Sequence, residues 1–507
     1  MLDSPMPSQP DITAPVAAPV PTLRFIATTE ILAALPGSAL LDTPPTPARA
    51  KRQTQHYYDT PDFALARRRM FLRMAKTRRG HHLELITPEG EAAADIPGAT
   101  PDLAALGPDW EAAVTTLLGE AALHPVFTTD IRRVPRHAGE VEVGLETGTI
   151  QAGAEKLHIK EVTLNGPGLA LFPFALALTK KFPMQLQADS LAGRGVQLAG
   201  APAPKQVKAG AGLTGTPSLD ESVVDLTQSC LSQFLANWPA FYRGDEIGAV
   251  HQMRVSMRRL RSVLGLFSRA FPAGEFAGFR NEAKRIANVM GEARNWDVFM
   301  QLLLDGPAAA FTTEAGMAAI LQQCRRYREA GYEAARELLA DPATSRFVLT
   351  VEAFLARHGW RNGVPAEALD TLTAPVLDFA TANLLRLHRK VRKRGKHILS
   401  LTPHDRHLVR IELKKLRYAA DLFGGLFTAR NKVKQYAETA AGLQEELGHL
   451  NDLATARELL DRLDGSKPDT ARAIGIVLGW CAHSALADDS VLEKRWKAFT
   501  STKSFAA

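Results

Sequence analysis

The chain has 507 residues, of which 46% are hydrophobic and 23% charged, a mixture that excludes a disordered, collagen-like or membrane-spanning protein and is long enough for several domains. The net charge of +7 belongs to the C-terminal part, because the first 200 residues carry 19 basic and 21 acidic side chains and the rest carry 42 and 33. Cys230, Cys324 and Cys481 are too far apart for a disulfide framework or a short-spaced metal site, which predicts a reducing, cytoplasmic location.

The first 200 residues predict a tail followed by a mixed domain. Residues 1–21 are rich in Pro and lack the basic and apolar regions of a signal peptide, so we expect a flexible tail. Between residues 22 and 200, short β-rich runs such as MFLRMA and HLELI are separated by Pro and Gly. This pattern predicts an α+β domain with an antiparallel sheet. Residues 201–217 are mostly Pro, Gly, Ala and Lys with few large apolar side chains, which predicts a linker.

Residues 218–500 show helical periodicity and an internal repeat. The segment HQMRVSMRRLR that begins at His251 recurs 156 residues later as HLVRIELKKLR, beginning at His407. A looser echo, GEARNWD against GHLND, follows each copy at nearly the same offset. Agreeing offsets indicate a duplicated all-helical unit, with repeat 1 at about 218–362 and repeat 2 at about 366–500.

Each copy of the repeated helix has one basic and one apolar face. In the first copy no acidic residue separates the cations, although neighbouring like charges destabilise a helix. An ordinary solvated face is the alternative, but it would intersperse acids, so we expect a polyanion to supply the countercharge. A second basic run between residues 386 and 396 has the same character. The predicted binding residues are His251, Arg254, Arg258, Arg259, Arg261, Arg294, Arg389, Arg392, Lys393, Lys396, His407, Arg410, Lys414, Lys415 and Arg417.

The chemistry of these helices favours a bare phosphate chain over nucleic acid. Phe267 and Phe423 fall on the apolar faces, and only Tyr418 lies at the edge of a basic face, so base-stacking platforms are scarce. Arg and Lys without base-reading groups suit inorganic polyphosphate. His251 and His407 lack a second metal ligand one turn away, which disfavours a metal site, and no catalytic residue is predicted.

The duplicated helices and the GEARNWD segment resemble the CHAD domain, the conserved histidine α-helical domain, over about residues 218–500. The resemblance implies two four-helix bundles related by a pseudo-twofold axis, with a central basic pore or groove that binds inorganic polyphosphate. Whether the destination is the polyphosphate granule is left open by the sequence. Asn295 stands where the family often has Asp, a departure that affects a helix-pairing contact.

The N-terminal domain resembles a second family. The segments HYYDTPDFAL (56–65), FLR (71–73) and SLAGRG (190–195) look like the CYTH, or triphosphate tunnel metalloenzyme, family. The resemblance implies an antiparallel β-barrel in which Glu residues hold Mg²⁺ or Mn²⁺ while Lys and Arg grip triphosphate during hydrolysis.

Several residues of that family pattern are missing. The first strand, VPTLR, has neither of the two family glutamates, and Ala75, Ile86 and Leu191 replace phosphate-gripping cations. These losses predict a domain without triphosphatase activity. The surviving candidates for a tunnel are Arg24, Arg73, Lys76, Arg133, Glu142, Glu161 and Arg194.

We therefore expect a cytoplasmic polyphosphate-binding protein that needs no cofactor for binding. Mg²⁺ or Mn²⁺ would be required only if the CYTH-like domain is active. Two alternatives stay open at this point: an active inorganic triphosphatase with a polyphosphate-binding helical module, and a nucleic-acid-binding protein.

Overall fold

The computed structural model describes residues 21–42, 49–88, 90–271, 274–365, 370–487 and 489–506. Apart from Pro21, the expected N-terminal tail lies outside these residues. The chain divides into two compact units, residues 1–204 and residues 205–507.

The first unit is built on one antiparallel sheet. The described residues form nine strands: β1 (Thr22–Ile26), β2 (Lys51–Asp59), β3 (Phe71–Lys76), β4 (His81–Thr87), β5 (Gly90–Ile96), β6 (His124–Ala138), β7 (Val141–Ala152), β8 (Glu155–Asn165) and β9 (Gln185–Leu186). Their order is β5-β4-β3-β2-β6-β7-β8-β1-β9, and β1 lies beside β8 although most of the unit separates them in sequence. Within the described part of this unit no ladder joins β5 to β9. The antiparallel sheet is thus confirmed, and closure into a barrel is not.

In the described part of this unit, five α-helices accompany the sheet: α1 (Thr29–Ala34), α2 (Ala64–Arg67), α3 (Pro108–Leu118), α4 (Gly168–Lys181) and α5 (Leu191–Leu198). Helix α5 packs against β6, β7 and β8. It approaches so closely that a side chain at Gly195 would meet the Phe127 ring, which stacks on Tyr57. This contact fixes the first turn of α5, and with it Arg194, over the sheet.

The second unit is helical. Its helices are α6 (Leu219–Tyr242), α7 (Glu246–Phe267), α8 (Glu275–Asp305), α9 (Pro307–Ala310), α10 (Ala315–Ala340), α11 (Pro342–Ala356), α12 (Asp370–Thr373), α13 (Leu377–Arg394), α14 (Pro403–Phe423), α15 (Arg430–Leu460), α16 (Pro468–Ala487) and α17 (Asp489–Ser501). Local sequence sets their starts: Ser218 and Glu221 form a capping box before α6, and Thr402 caps α14 with Pro403 at its first position.

The two repeats pack in similar ways. In the first repeat α6 packs on α7, α7 on α8 and α8 on α10; in the second, α13 packs on α14, α14 on α15 and α15 on α17. Helices α7 and α14, which carry the duplicated motif, also contact each other. Met253, Met257 and Leu260 of α7 are fully buried, so the apolar face predicted for this helix is confirmed. The pseudo-twofold relation between two four-helix bundles stays a prediction.

Part of the predicted linker is attached to the helical unit. The Val207 amide donates to Asn237 Oδ1 at 2.8 Å, Asn237 Nδ2 donates back to the Val207 carbonyl at 2.9 Å, and the Leu213 amide donates to the Leu422 carbonyl at 2.8 Å. These bonds fix the backbone at two points along the segment. Across the described residues, no helix is both long and apolar enough to cross a membrane. The three cysteines are free thiols in buried positions.

Candidate functional site

A large cavity opens in the helical unit where the duplicated helices meet. Its volume is about 1960 Å³, and its lining comes mainly from α7, α8, α13, α14 and α15. Among the described lining residues are thirteen Lys and Arg side chains but five Asp and Glu side chains. Such an excess of one sign inside a concave wall concentrates the electrostatic potential and attracts anions.

The centre of this cavity is formed by equivalent residues of the two repeats. Arg254 and Arg258 of α7 face Arg410 and Lys414 of α14, which occupy the same motif positions 156 residues later. Their charges interact with one another, and within the described part of the chain no carboxylate lies within ion-pairing distance of any of the four. We call these four residues the cationic centre.

The pKa values in the cationic centre record this repulsion. Burial and the charges of Arg258, Arg410 and Arg254 lower the pKa of Lys414 to about 6. Burial, Arg258 and Arg294 lower the pKa of Arg254 to about 10. At neutral pH, therefore, Lys414 is largely uncharged in the free protein, and an anion in the cavity would favour its protonation.

Small residues on the neighbouring helices make room for the arginines. Arg254 passes over Gly291 of α8, where a Cβ atom would lie 3.1 Å from its Nε atom. Gly448 of α15 occupies the matching place in the second repeat, and a Cβ there would lie 4.0 Å from Arg410 Nη2. The looser sequence echo thus corresponds to a helix surface that accommodates a guanidinium group.

The two motif histidines also line the cavity. His251 is half-buried, and burial together with Arg294, Arg254 and Arg258 lowers its pKa. His407 is exposed, and its Nδ1 lies 2.7 Å from Asn451 Oδ1, a contact that requires the Nδ1–H tautomer. No group of three metal-ligating side chains occurs among the described residues.

Three further predicted residues, Arg261, Arg294 and Lys415, line the cavity as expected. Lys415 differs from the cationic centre because it shares the buried Glu412 with Lys390, both ammonium groups lying 3.0 Å from Glu412 Oε1. Glu412 therefore neutralises part of the wall and holds α13 against α14.

Two predicted residues of the duplicated motif do not line the cavity. Arg259 is buried, and its Nη1 donates to Gln233 Oε1 at 3.0 Å. Arg417, the counterpart of Arg261 in the second repeat, lies with Arg259 near Asp421, whose pKa is raised by burial while Arg417 and Arg259 counteract the rise. Arg259 therefore belongs to the interior of the unit, whereas Arg417 is half-buried.

The second basic run divides between two surfaces. Arg386 and Lys390 of α13 point into the cavity. The predicted residues of this run lie on the exposed side of α13 and of the turn after it: Arg389, Arg392, Lys393 and Lys396. We call these four residues the α13 stripe.

Several cavity cations fall outside the predicted set. Besides Arg386 and Lys390, they are Arg269, Arg280, Arg406 and Arg457. They come from different helices and are not repeated in the motif, so no local pattern identifies them. Only the spacing of Arg386 and Lys390 by one turn offered a signal, because it places both on one helix face.

The first unit carries a different charged cluster, on one face of the sheet. Glu146 of β7 and Glu161 of β8 lie directly opposite each other in the register and are 5% and 2% exposed. Arg24 of β1 joins them: its Nη1 lies 2.7 Å from Glu146 Oε2 and 2.7 Å from Glu161 Oε2. Burial alone would lower the pKa of the Arg24 guanidinium, but the charges of Glu146 and Glu161 raise it.

Two more arginines complete this sheet cluster. Arg194 Nη1 lies 2.6 Å from Glu161 Oε1, and Arg133 Nη2 lies 3.3 Å from Glu142 Oε1. The guanidinium of Arg133 crosses Gly144, where a Cβ atom would come within 2.6 Å of its Nε. Three arginines thus balance three glutamates.

The other predicted tunnel residues lie apart from this cluster. Arg73 forms a bidentate pair with Glu84, at 2.8 and 2.7 Å, and Lys76 is exposed at the end of β3. Glu146 and Glu84 were absent from the predicted set, because without the tertiary fold nothing distinguishes them from other strand carboxylates.

The two units match two known families. Residues 23–162 match the sequence model of the CYTH domain, and residues 225–461 match that of the CHAD domain. The chain is also similar to two uncharacterized proteins from two strains of Mycobacterium tuberculosis, each 27% identical over 234 residues, or 44% of this chain. It spans only 42% of the length of those relatives. Among solved structures, the crystal structure of the CHAD domain from the plant Ricinus communis is 26% identical, with a TM-score of 0.51, and the alignment covers 59% of this chain and 97% of that one.

Proposed function

The chain contains a CYTH domain followed by a CHAD domain, and we propose from this that its helical unit binds inorganic polyphosphate. The observation that carries the proposal is the cationic centre, in which Arg254, Arg258, Arg410 and Lys414 face one another without a carboxylate partner in the described residues. A polyphosphate chain would supply the missing negative charge with closely spaced oxyanions. Arg can bind these oxyanions in bidentate fashion.

The lining of the cavity favours a phosphate chain over nucleic acid as the ligand. Phe299 and Tyr418 are its aromatic residues among those described, and Phe299 is 2% exposed. Binding of single-stranded nucleic acid relies on stacking of bases upon accessible aromatic rings. Polyphosphate has no bases, so its binding does not require accessible aromatic rings.

We propose further that the N-terminal unit has no triphosphatase activity. Metal-dependent hydrolysis needs carboxylate oxygens free to bind Mg²⁺ or Mn²⁺ and cations free to grip phosphate. In the sheet cluster, arginine and glutamate neutralise one another. The unit would then act as a docking or regulatory module.

Binding to the full-length protein tests the main proposal. Fluorescently labelled long-chain polyphosphate is expected to bind with an affinity that falls steeply with salt, because each neutralised phosphate releases counterions. Unlabelled polyphosphate should displace a bound oligonucleotide at comparable phosphate concentration, whereas the oligonucleotide should displace polyphosphate poorly. Equal competition in both directions would favour nucleic acid, and salt-insensitive or absent binding would contradict the proposal. Phosphate release from triphosphate with Mn²⁺ tests the N-terminal unit separately.

The α13 stripe predicts a dependence on ligand length. On helical geometry, Lys393 lies about one turn beyond Lys390 and two turns beyond Arg386 on nearly the same face, so the stripe continues the cationic wall out of the cavity, and Lys396 lies about 15 Å along the axis from Arg386. Changing all four stripe residues to serine is expected to weaken long-chain polyphosphate binding about tenfold, as charge-assisted hydrogen bonds are removed, and to leave tripolyphosphate affinity unchanged. Calorimetric titration with both ligands would measure this. An equal loss for both chain lengths would show that the stripe acts only through overall charge.

A further inference from the structure

The sheet cluster contains an arrangement that a β-sheet ordinarily avoids. Glu146 and Glu161 are neighbours on adjacent strands, on the same face, with both carboxylates shielded from solvent. Like charges directly opposite each other destabilise a strand pair, and burial removes the water that would screen them. A cation between these carboxylates therefore stabilises this sheet.

Arg24 provides that cation from within the chain. A single nitrogen, Nη1, lies 2.7 Å from one oxygen of each glutamate, and the side chain is 20% exposed. The other oxygens are also occupied: Glu161 Oε1 pairs with Arg194, and Glu146 Oε1 accepts a hydrogen bond from Thr163 Oγ1 at 3.1 Å. All four carboxylate oxygens thus have protein partners, and the Arg24 guanidinium occupies the space between the two carboxylates.

These residues do not fit the divalent metal that a CYTH domain implies. A hard cation needs several carboxylate or carbonyl oxygens without a competing positive charge. Here Arg24 occupies the point where the two carboxylates converge. We infer that Arg24 is a built-in replacement for a divalent cation, and that its removal would turn Glu146 and Glu161 into a cation-binding site. The inference rests on the proposed absence of metal chemistry in the N-terminal unit and names the residue responsible.

Mn²⁺ binding to the full-length protein tests the inference without an activity assay. In the wild-type protein, Mn²⁺ is expected not to raise the melting temperature. Electron paramagnetic resonance should also detect no bound Mn²⁺ that is lost when Glu161 is replaced by Gln. Arg24→Ala is expected to melt several degrees lower in the presence of a chelator, and added Mn²⁺ should restore most of that loss. Arg24→Ala/Glu161→Gln should lose the response to Mn²⁺.

Arg52→Ala is the matched control. Arg52 also forms a cross-strand ion pair in this sheet, with Asp130, but its side chain is 75% exposed. Its loss should change the melting temperature little and should create no Mn²⁺ response. Arg24→Lys, which keeps the charge, should remain insensitive to Mn²⁺.

Two results would overturn the inference. One is stabilisation of the wild-type protein by Mn²⁺ that Glu161→Gln abolishes; this arm does not depend on the folding of any Arg24 variant. The other is a folded Arg24→Ala protein with no Mn²⁺ response. Polyphosphate affinity, measured on the same samples, should be the same for wild type and the Arg24 variants. A failure of the inference is thereby distinguished from a failure of polyphosphate binding.

Discussion

Replacing Arg254, Arg258 and Lys414 together with Ser, Ser and Met is expected to lower polyphosphate affinity about 100- to 1000-fold, because each hydrogen bond to a charged phosphate contributes about 1.5–3 kcal/mol and the contributions are not fully additive. The three side chains come from two helices but line one cavity. The affinity should also depend less on salt. For single-stranded nucleic acid, the slope of log affinity against log salt concentration changes by about 0.7 for each phosphate neutralised, and we expect a similar change here for each phosphate that the variant no longer neutralises. Fluorescence anisotropy at several salt concentrations measures both effects.

The same variant should be more stable than wild type in the absence of ligand. In the free protein Arg254 and Arg258 repel each other, and their charges keep the buried Lys414 amine largely uncharged, so removal of the three side chains relieves an unfavourable interaction. Loss of affinity through misfolding would instead lower the melting temperature. The combination of weaker binding with an equal or higher melting temperature is therefore specific to a binding site.

A variant with the same change in charge separates local from overall electrostatics. Arg430, Lys432 and Lys434 belong to the first turns of α15, away from the cavity lining. Their replacement by serine removes three positive charges, the number that the cavity variant removes from the polyphosphate complex, in which Lys414 is protonated. We expect a loss of affinity no greater than about threefold, since charges near the surface are strongly screened by salt. Similar losses in the two variants would mean that polyphosphate recognises net charge and not the cationic centre.

The sequence was most informative where a pattern repeats. The duplication identifies Arg254 and Arg410, and likewise Arg258 and Lys414, as equivalent members of two basic helix faces, and the cavity brings all four together. Arg259, whose motif position lies at the boundary between the basic and apolar faces, is buried outside the cavity lining. A helical projection gives the direction in which each side chain points. Arg259 is buried because α6, which carries Gln233, packs on that side of α7, and the projection does not show this neighbour.

The parts of the site that the sequence did not predict depend on contacts between segments that are far apart in the chain. Arg386, from a different helix, could be recognised as basic but not as part of the cavity wall. In the sheet, the missing glutamates of the first strand were visible in the sequence, whereas the role of Arg24 was not. That role depends on β1 pairing with β8, more than a hundred residues away, which brings Arg24 to Glu146 and Glu161. Register between strands so far apart follows from the folded sheet and not from local residue preferences.

Polyphosphate binding is expected to take up a proton at Lys414. In the free protein the pKa of this amine is about 6, so it is mostly neutral at pH 7.5. The groups that act on it are Arg254 and Arg258 of α7, Arg410 of α14 and Asp452 of α15, and of these only Asp452 favours the charged form. A bound polyanion reverses the balance and raises the pKa of Lys414 toward that of an ordinary lysine.

Because binding takes up this proton, polyphosphate affinity is expected to fall as the pH rises. Below about pH 6 the amine is protonated in both free and bound protein, and its protonation contributes no pH dependence. As pH rises from about 6 toward the pKa of the complex, binding requires uptake of up to about one proton, so affinity falls by up to about tenfold per pH unit. His251 lines the same cavity, and burial together with Arg294, Arg254 and Arg258 lowers its pKa in the free protein, so the Lys414→Met variant is needed to separate its proton uptake from that of Lys414.

Calorimetry in buffers with different ionisation enthalpies would count the proton directly. Lys414→Met should bind with almost no proton uptake between pH 7 and 9, and Lys414→Arg should keep the charge and bind without this pH dependence. Proton uptake that persists in Lys414→Met would assign it to another group.

Without ligand, a second measurement is independent of binding. The unfolded lysine titrates near 10.5 and the folded one near 6, so between these values the unfolded state binds more protons and wild-type stability rises with pH. Lys414→Met should therefore melt higher than wild type at pH 7, and the difference should narrow as the pH approaches 10, because at that pH the unfolded lysine also loses its charge.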